Sequence, residues 1–177
     1  KNTMFIFDWD DTLYPTSWIT KKKDKQVKLQ KLDKKICSLI SHISSYGKIT
    51  IISNANSLWI QETLEFMPNT KNMINDNKII VFSAQDRYKK KFKVHNWKKY
   101  AFRHIINKYM NRFLMNIFSI GDSYYEHFGL ISLHKAKHIY NNNKIMYLKS
   151  IKLKEDPDHD MVIEQLDMLR ETIMNMY

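Results

Sequence analysis

An α/β domain built on a Rossmann-like parallel sheet is the fold this chain predicts. Three observations predict it. Short apolar runs rich in β-branched and aromatic residues recur along the 177 residues, and such runs read as buried strands when polar residues bound them. Between them lie stretches whose apolar residues fall three and four apart, the period of an amphipathic helix. Strands that alternate with helices are joined by crossovers, which makes them parallel and covers the sheet on both faces.

Each element follows from local chemistry. Met4–Asp8 is the first strand. Leu29, Leu32, Ile36, Leu39 or Ile40, and Ile43 then share one face of a long helix, with Gly47 expected as its C-cap. Lys48–Ser53 is the second strand, and Ser57–Phe66 a shorter helix expected to end at Pro68. Lys78–Phe82, Met115–Ile120 and the short run Ile145–Leu148 complete a sheet of about five strands. Helices are expected over Trp97–Met110 and Tyr124–Lys135. Asp156 as cap and Pro157 in the first turn would open a last helix, marked by Val162, Leu166, Leu169 and Ile173. No repeat, linker or composition break divides the chain, so residues 1–177 read as one domain.

Composition narrows the function classes. Hydrophobic content of 44% supports a packed core. Three glycines leave no material for a Gly-rich phosphate loop. The single cysteine, Cys37, lies among apolar positions and excludes an internal disulfide, which fits a reducing compartment. No apolar run approaches the ~20 residues of a membrane helix, and no signal-peptide pattern opens the chain. Cytoplasmic residence is therefore expected, with the nucleus as alternative. A net charge of +11 favours an anionic partner: a phosphorylated substrate, an acidic protein, nucleic acid or a membrane surface. Basic residues cluster at Lys21–Lys35, which reads as a solvated face, and again at Arg87–Lys99.

In sheets of this class ligands bind outside the carboxyl ends of the strands, so the residues there carry the functional argument. The stretch "FIFDWDDTL" drives a strand into Asp8, Asp10 and Asp11. Crowded carboxylates repel one another and resist burial unless a cation, substrate or solvent offsets them. The second strand ends in Ser53-Asn54, and the fourth in Gly121-Asp122 with Glu126 four residues on. Carboxylates converging from separate strands can hold Mg²⁺, a hard cation that prefers oxygen.

These three stretches resemble motifs of the haloacid dehalogenase superfamily. "FIFDWDDTL" is similar to its first motif, Asp-x-Asp-x-Thr after an apolar strand. "ITIISN" resembles the second, and "IFSIGDSYYE" the fourth. The resemblance spans residues 4 to 126. It implies that Asp8 is a nucleophile forming an aspartyl-phosphate, and that Asp10 is general acid and then base. It implies a Mg²⁺ held by the Asp8 and Asp122 carboxylates and the Asp10 carbonyl, with Glu126 reached directly or through water. Ser53 and the Asn54 amide would hold a phosphoryl oxygen. The third motif is a lysine near the start of a helix; Lys98 is the expected one, with Lys93 and Lys99 as alternatives.

An acid at position 10 points, within that superfamily, to phosphatases and phosphomutases. Neither interval between the motifs has room for a sizeable cap domain, which resembles members with open sites and large substrates, phosphoproteins or nucleic acids among them. The resemblance therefore implies a Mg²⁺-dependent phosphatase acting on a phosphomonoester. A phosphomutase or phosphotransferase is the alternative within the family, and a non-catalytic basic module that binds nucleic acid the alternative outside it. Trp9, Tyr14 and Trp18 fall in the segment the family uses as a flap; they and Trp59 either shape substrate entry or pack in the core. The seven histidines form no ligand-spaced motif, and "EDPDHD" is explained by a helix start.

Overall fold

The structure is a computed structural model that describes residues 2–21, 26–109, 116–134 and 147–176. Five strands form one parallel sheet in the order β3-β2-β1-β4-β5. They are β1 (Thr3–Phe7), β2 (Lys48–Ser53), β3 (Ile80–Ser83), β4 (Asn116–Gly121) and β5 (Tyr147–Lys152). The fifth strand runs further than its apolar stretch predicts; Ile145 lies outside the described residues. β1 sits in the middle, paired to β2 on one side and β4 on the other. The connections run outward in both directions from β1, so its carboxyl end is the switch point where such a sheet opens a crevice.

Alternation along the strands divides the core in two. Phe5, Phe7, Ile49, Ile51, Phe118 and Ile120 face one layer, which contains α2 (Gln26–Ser44), α3 (Ser57–Glu65), α4 (Pro68–Asp76) and α8 (His159–Met176). Met4, Ile6, Ile52 and Ile117 face the other, covered by α5 (Ala84–Tyr88), α6 (Trp97–Tyr109) and α7 (Tyr124–His134). The long helix predicted on Leu29 to Ile43 is α2, and all those residues are buried. Each large apolar side chain so buried is worth ~1.5–3 kcal/mol.

Several boundaries differ from the sequence expectation, each for a local reason. α2 ends at Ser44, and Gly47 does not adopt the left-handed conformation of a C-cap. A Cβ there would lie 2.6 Å from the Thr3 carbonyl, so Gly47 serves the close approach of β1 instead. Pro68 does not merely end a helix; it begins α4, where its missing N–H costs nothing. The N-terminal amides of α4 find their acceptor far away in sequence. Asp33, buried on α2, accepts from the Asn69 and Thr70 backbones at 3.0 and 2.7 Å and from both their side chains. The last helix starts at His159, two residues beyond Pro157, and Asp158 caps it through the Met161 amide (2.9 Å). Asp156, expected as the cap, instead takes a positive φ of 49° in the preceding turn.

The flap segment after β1 folds inward. Trp9, Tyr14 and Trp18 are all buried, so they are core rather than gate. Trp9 stacks on Tyr14 with centroids 6.0 Å apart and donates its indole N–H to Thr63 of α3. Asp11 takes a φ of 53°, a conformation aspartate tolerates better than most residues. Its carboxylate accepts from the backbone and hydroxyl of Ser17, capping the short helix α1 (Thr16–Lys21). One of the three crowded acids is thereby accounted for by local structure. Among the described residues no helix is long and apolar enough to cross a membrane, and no sizeable cap domain stands over the sheet.

Candidate active site

The sheet brings Asp8, Ser53 and Asp122 to one rim. Phe7 pairs with Ile51 and Ile120, so Asp8 leaves β1 level with Ile52 and Gly121, and Ser53 and Asp122 emerge one residue further along their strands. The Asp8 amide still donates to the Ile120 carbonyl at 2.9 Å, which holds the acid at the strand end with 6% exposure. Asp10 follows one turn of chain further out.

Lys98 is the lysine the fold brings here. It lies in the first turn of α6, and its side chain is almost wholly buried although it carries a charge. Its ammonium sits 2.6 Å from Asp8 Oδ1 and bonds Glu126 Oε1 on the other side. Lys93 is exposed, and Lys99 turns its ammonium over the Tyr100 ring, 5.9 Å from the centroid. The entry to α6 explains the aim of Lys98. Phe92 stacks on Tyr100 at 3.8 Å and its carbonyl accepts the Trp97 indole N–H at 2.8 Å, fixing the loop from which the helix starts.

Both oxygens of Glu126 are occupied. Oε1 takes Lys98, and Oε2 accepts from the Ser123 amide and hydroxyl at 3.0 and 2.7 Å. The carboxylate lies directly over Gly121, where any Cβ would overlap it. Asp8, Asp122 and Glu126 each offer a carboxylate oxygen within 4.8 Å of the others. Thr12 reaches Asp122 Oδ1 at 3.5 Å, and Lys152 of β5 donates to the Asp122 carbonyl. Neither Thr12 nor Lys152 belonged to the expected site. Lys152 had no signal in the sequence, because the expected last strand stopped at Leu148 and β5 runs on to Lys152.

The electrostatics of this cluster are those of a site short of positive charge. Burial pushes the Asp8 carboxyl well above the ordinary carboxylate range; Lys98 pulls it back, and Glu126 and Asp10 push it up again. Burial also works against the Lys98 ammonium, but Asp8 and Glu126 outweigh it and hold the amine above its usual range. The Asp122 carboxyl is pushed up to about 6, by burial first and then by Glu126. One buried ammonium among three carboxylates leaves room for a cation. An all-oxygen donor set in a partly dry crevice fits Mg²⁺.

Asp10 is held differently. Its Oδ1 accepts from the Thr16 hydroxyl at 2.6 Å and from the Trp59 indole N–H at 2.8 Å. Its Oδ2 accepts from the Ser53 hydroxyl at 3.0 Å, and that hydroxyl accepts from the Ala55 amide at 2.8 Å. Asn54 is half-buried beside them, its Oδ1 without a hydrogen-bond donor among the described residues. The residues expected from three separate motifs therefore meet in one crevice.

No family model matches the chain, and no curated protein matches it. Among solved structures, the crystal structure of Legionella pneumophila effector Ceg4 with N-terminal yeast Hog1p sequence is similar. It aligns over 96% of this chain and 94% of that chain, with a TM-score of 0.50 and 11% sequence identity. The likeness is one of fold. At that identity it carries the sheet and its helices, and nothing about chemistry.

Proposed function

We propose that this chain is a Mg²⁺-dependent phosphatase that forms an aspartyl-phosphate on Asp8. The observation that carries the proposal is the sequestered pair Asp8–Lys98: a carboxylate at the end of the central strand, 2.6 Å from an ammonium that is itself buried. Burying two charges is costly, and a fold that needed only a sheet terminus would fill the place with apolar side chains. A carboxylate kept dry and beside a cation is instead suited to attack phosphorus.

The Asp8 and Asp122 carboxylates and the Asp10 carbonyl would hold Mg²⁺. Glu126, with both oxygens engaged, would reach the ion through water. When bound, the ion supplies positive charge against the phosphoryl oxygens. Lys98 steadies Asp8 and offsets the charge of the incoming phosphate. Ser53 and the Asn54 amide orient a phosphoryl oxygen. Asp10 gives a proton to the leaving oxygen as Asp8 bonds phosphorus, and afterwards takes one from the attacking water.

The open crevice, with no sizeable cap among the described residues, supports a phosphomonoester on a large molecule, a phosphoprotein among the candidates. The positive surface would draw such a substrate in. The lone Cys37, half-buried, suits cytoplasm or nucleus. Hydrolysis of 4-nitrophenyl phosphate with and without Mg²⁺ tests the proposal. Turnover is expected only with the metal, and Asp8→Asn is expected to lower it by roughly 10³-fold or more. Activity that survives Asp8→Asn overturns the nucleophile assignment. Phosphate passed to an added alcohol in preference to water would identify a phosphotransferase. Salt-steep binding of RNA or DNA without turnover would identify a nucleic-acid module.

A further inference from the structure

We infer that Trp59 is a positioning residue which, with Thr16, reserves one oxygen of Asp10 and confines the catalytic proton to the other. The inference rests on the phosphatase reading above and names a residue that reading does not use.

An indole N–H donates and never accepts, so the Asp10 oxygen facing Trp59 must present a lone pair. That oxygen is Oδ1, with Trp59 Nε1 at 2.8 Å and the Thr16 hydroxyl at 2.6 Å. Two donors take both in-plane lone pairs of Oδ1, so a proton there would have to displace one of them. Among the described residues, the hydrogen bond to Oδ2 comes from the Ser53 hydroxyl, at 3.0 Å. Ser53 already accepts the Ala55 amide with one lone pair, and a hydroxyl has two. It can therefore turn from donor to acceptor when Oδ2 carries a hydrogen. The oxygen on the Ser53 side can therefore gain and lose a proton while Trp59 and Thr16 both keep donating to Oδ1.

The geometry around Trp59 is built to last through a reaction. Asn56 caps α3 by accepting the Trp59 amide at 2.8 Å, which sets the residue in the first turn at the rim. Its ring meets Tyr14 edge-on, with centroids 6.4 Å apart and planes at 85°. When a phosphoryl group engages the Ser53 hydroxyl, Trp59 and Thr16 still fix the plane of the Asp10 carboxyl. In the first step an Asp8 oxygen bonds phosphorus and the bond to the leaving oxygen breaks. That oxygen keeps the electron pair and takes the proton from Asp10 Oδ2. In the second step water bonds phosphorus, the Asp8–phosphorus bond breaks, and a proton from the water returns to Oδ2.

The test compares Trp59→Phe, which keeps the ring and removes the N–H, with wild type on two aryl phosphates of unequal leaving group. Phenyl phosphate needs its leaving oxygen protonated far more than 4-nitrophenyl phosphate does. We expect kcat/KM to fall by roughly tenfold for phenyl phosphate and by less than about twofold for 4-nitrophenyl phosphate. Thr16→Val is expected to show the same split and decides the matter if Trp59→Phe does not fold. Equal losses on both substrates, or no loss on either, overturn the inference while leaving the phosphatase reading intact. Wild-type protein that turns over neither substrate with Mg²⁺ overturns both.

Discussion

Asp122 shows how one half-buried acid ties the site to stability. Its folded-state pKa, about 6, lies above the ordinary value of 3.8 because burial and Glu126 disfavour the anion. A carboxyl raised in this way contributes stability that is fully present below the unfolded value. The contribution is lost as pH rises through about 6. The metal-free protein should therefore be strained at neutral pH by the group that would bind metal. Asp122→Asn is expected to unfold at a higher temperature than wild type at pH 7.5, with the difference shrinking toward pH 4.5. Thermal melts in chelator read this directly. A difference that does not change with pH would mean that Asp122 does not titrate as described. Asp8, Asp10 and Asp11 illustrate the same point from sequence: three adjacent acids, of which two serve the crevice and one caps a helix.

Among the elements, α2 and α4 depend on a single side chain. Asp33 satisfies the first amides of α4 from across the helix interface, supplying the cap that Met67 cannot. Removing it strands buried donors, at a cost of about 1–3 kcal/mol or more. Asp33→Ala should lower the urea midpoint accordingly while the proposed Mg²⁺-dependent turnover, measured per folded molecule, stays unchanged, since α4 supplies none of the residues of the site described. A fall in stability below about 0.5 kcal/mol would show that water replaces the carboxylate at no net loss. α6 and α7 carry the corresponding lock at the site. Lys98 and Glu126 are 28 residues apart and meet only because the two helices pack side by side over β4.

Over the molecule as a whole the net charge of +11 works against compactness. Among the described residues, Lys35–Asp167 at 2.7 Å is one of the tighter ion pairs and Lys21–Asp156, at 3.9 Å, one of the looser. Exposed pairs add little. Raising salt from about 0.05 to 0.5 M shortens the screening distance from over 10 Å to under 5 Å and should raise the melting temperature by a few degrees. A melting temperature that falls with salt would show that attractive pairs outweigh the self-repulsion. That basic surface includes Lys89, Lys90, Lys91 and Lys93, all exposed in the stretch ahead of α6.

Strand positions, the parallel sheet and the acids at its rim were legible from the chain because each depends on neighbours a few residues away. Period and termination are local properties, and a strand's last residue must lie at its carboxyl end whatever else packs around it. Lys98 was legible only as one of several lysines, since its burial depends on how Phe92 and Trp97 anchor a loop. The cap that Asp33 supplies to α4, the inward folding of Trp9 and Tyr14, and the bond from Trp59 to Asp10 were not legible. Each is a contact between elements, set by the depth and rotation at which helices settle on the sheet. No spacing along the chain records that depth, because packing chooses it.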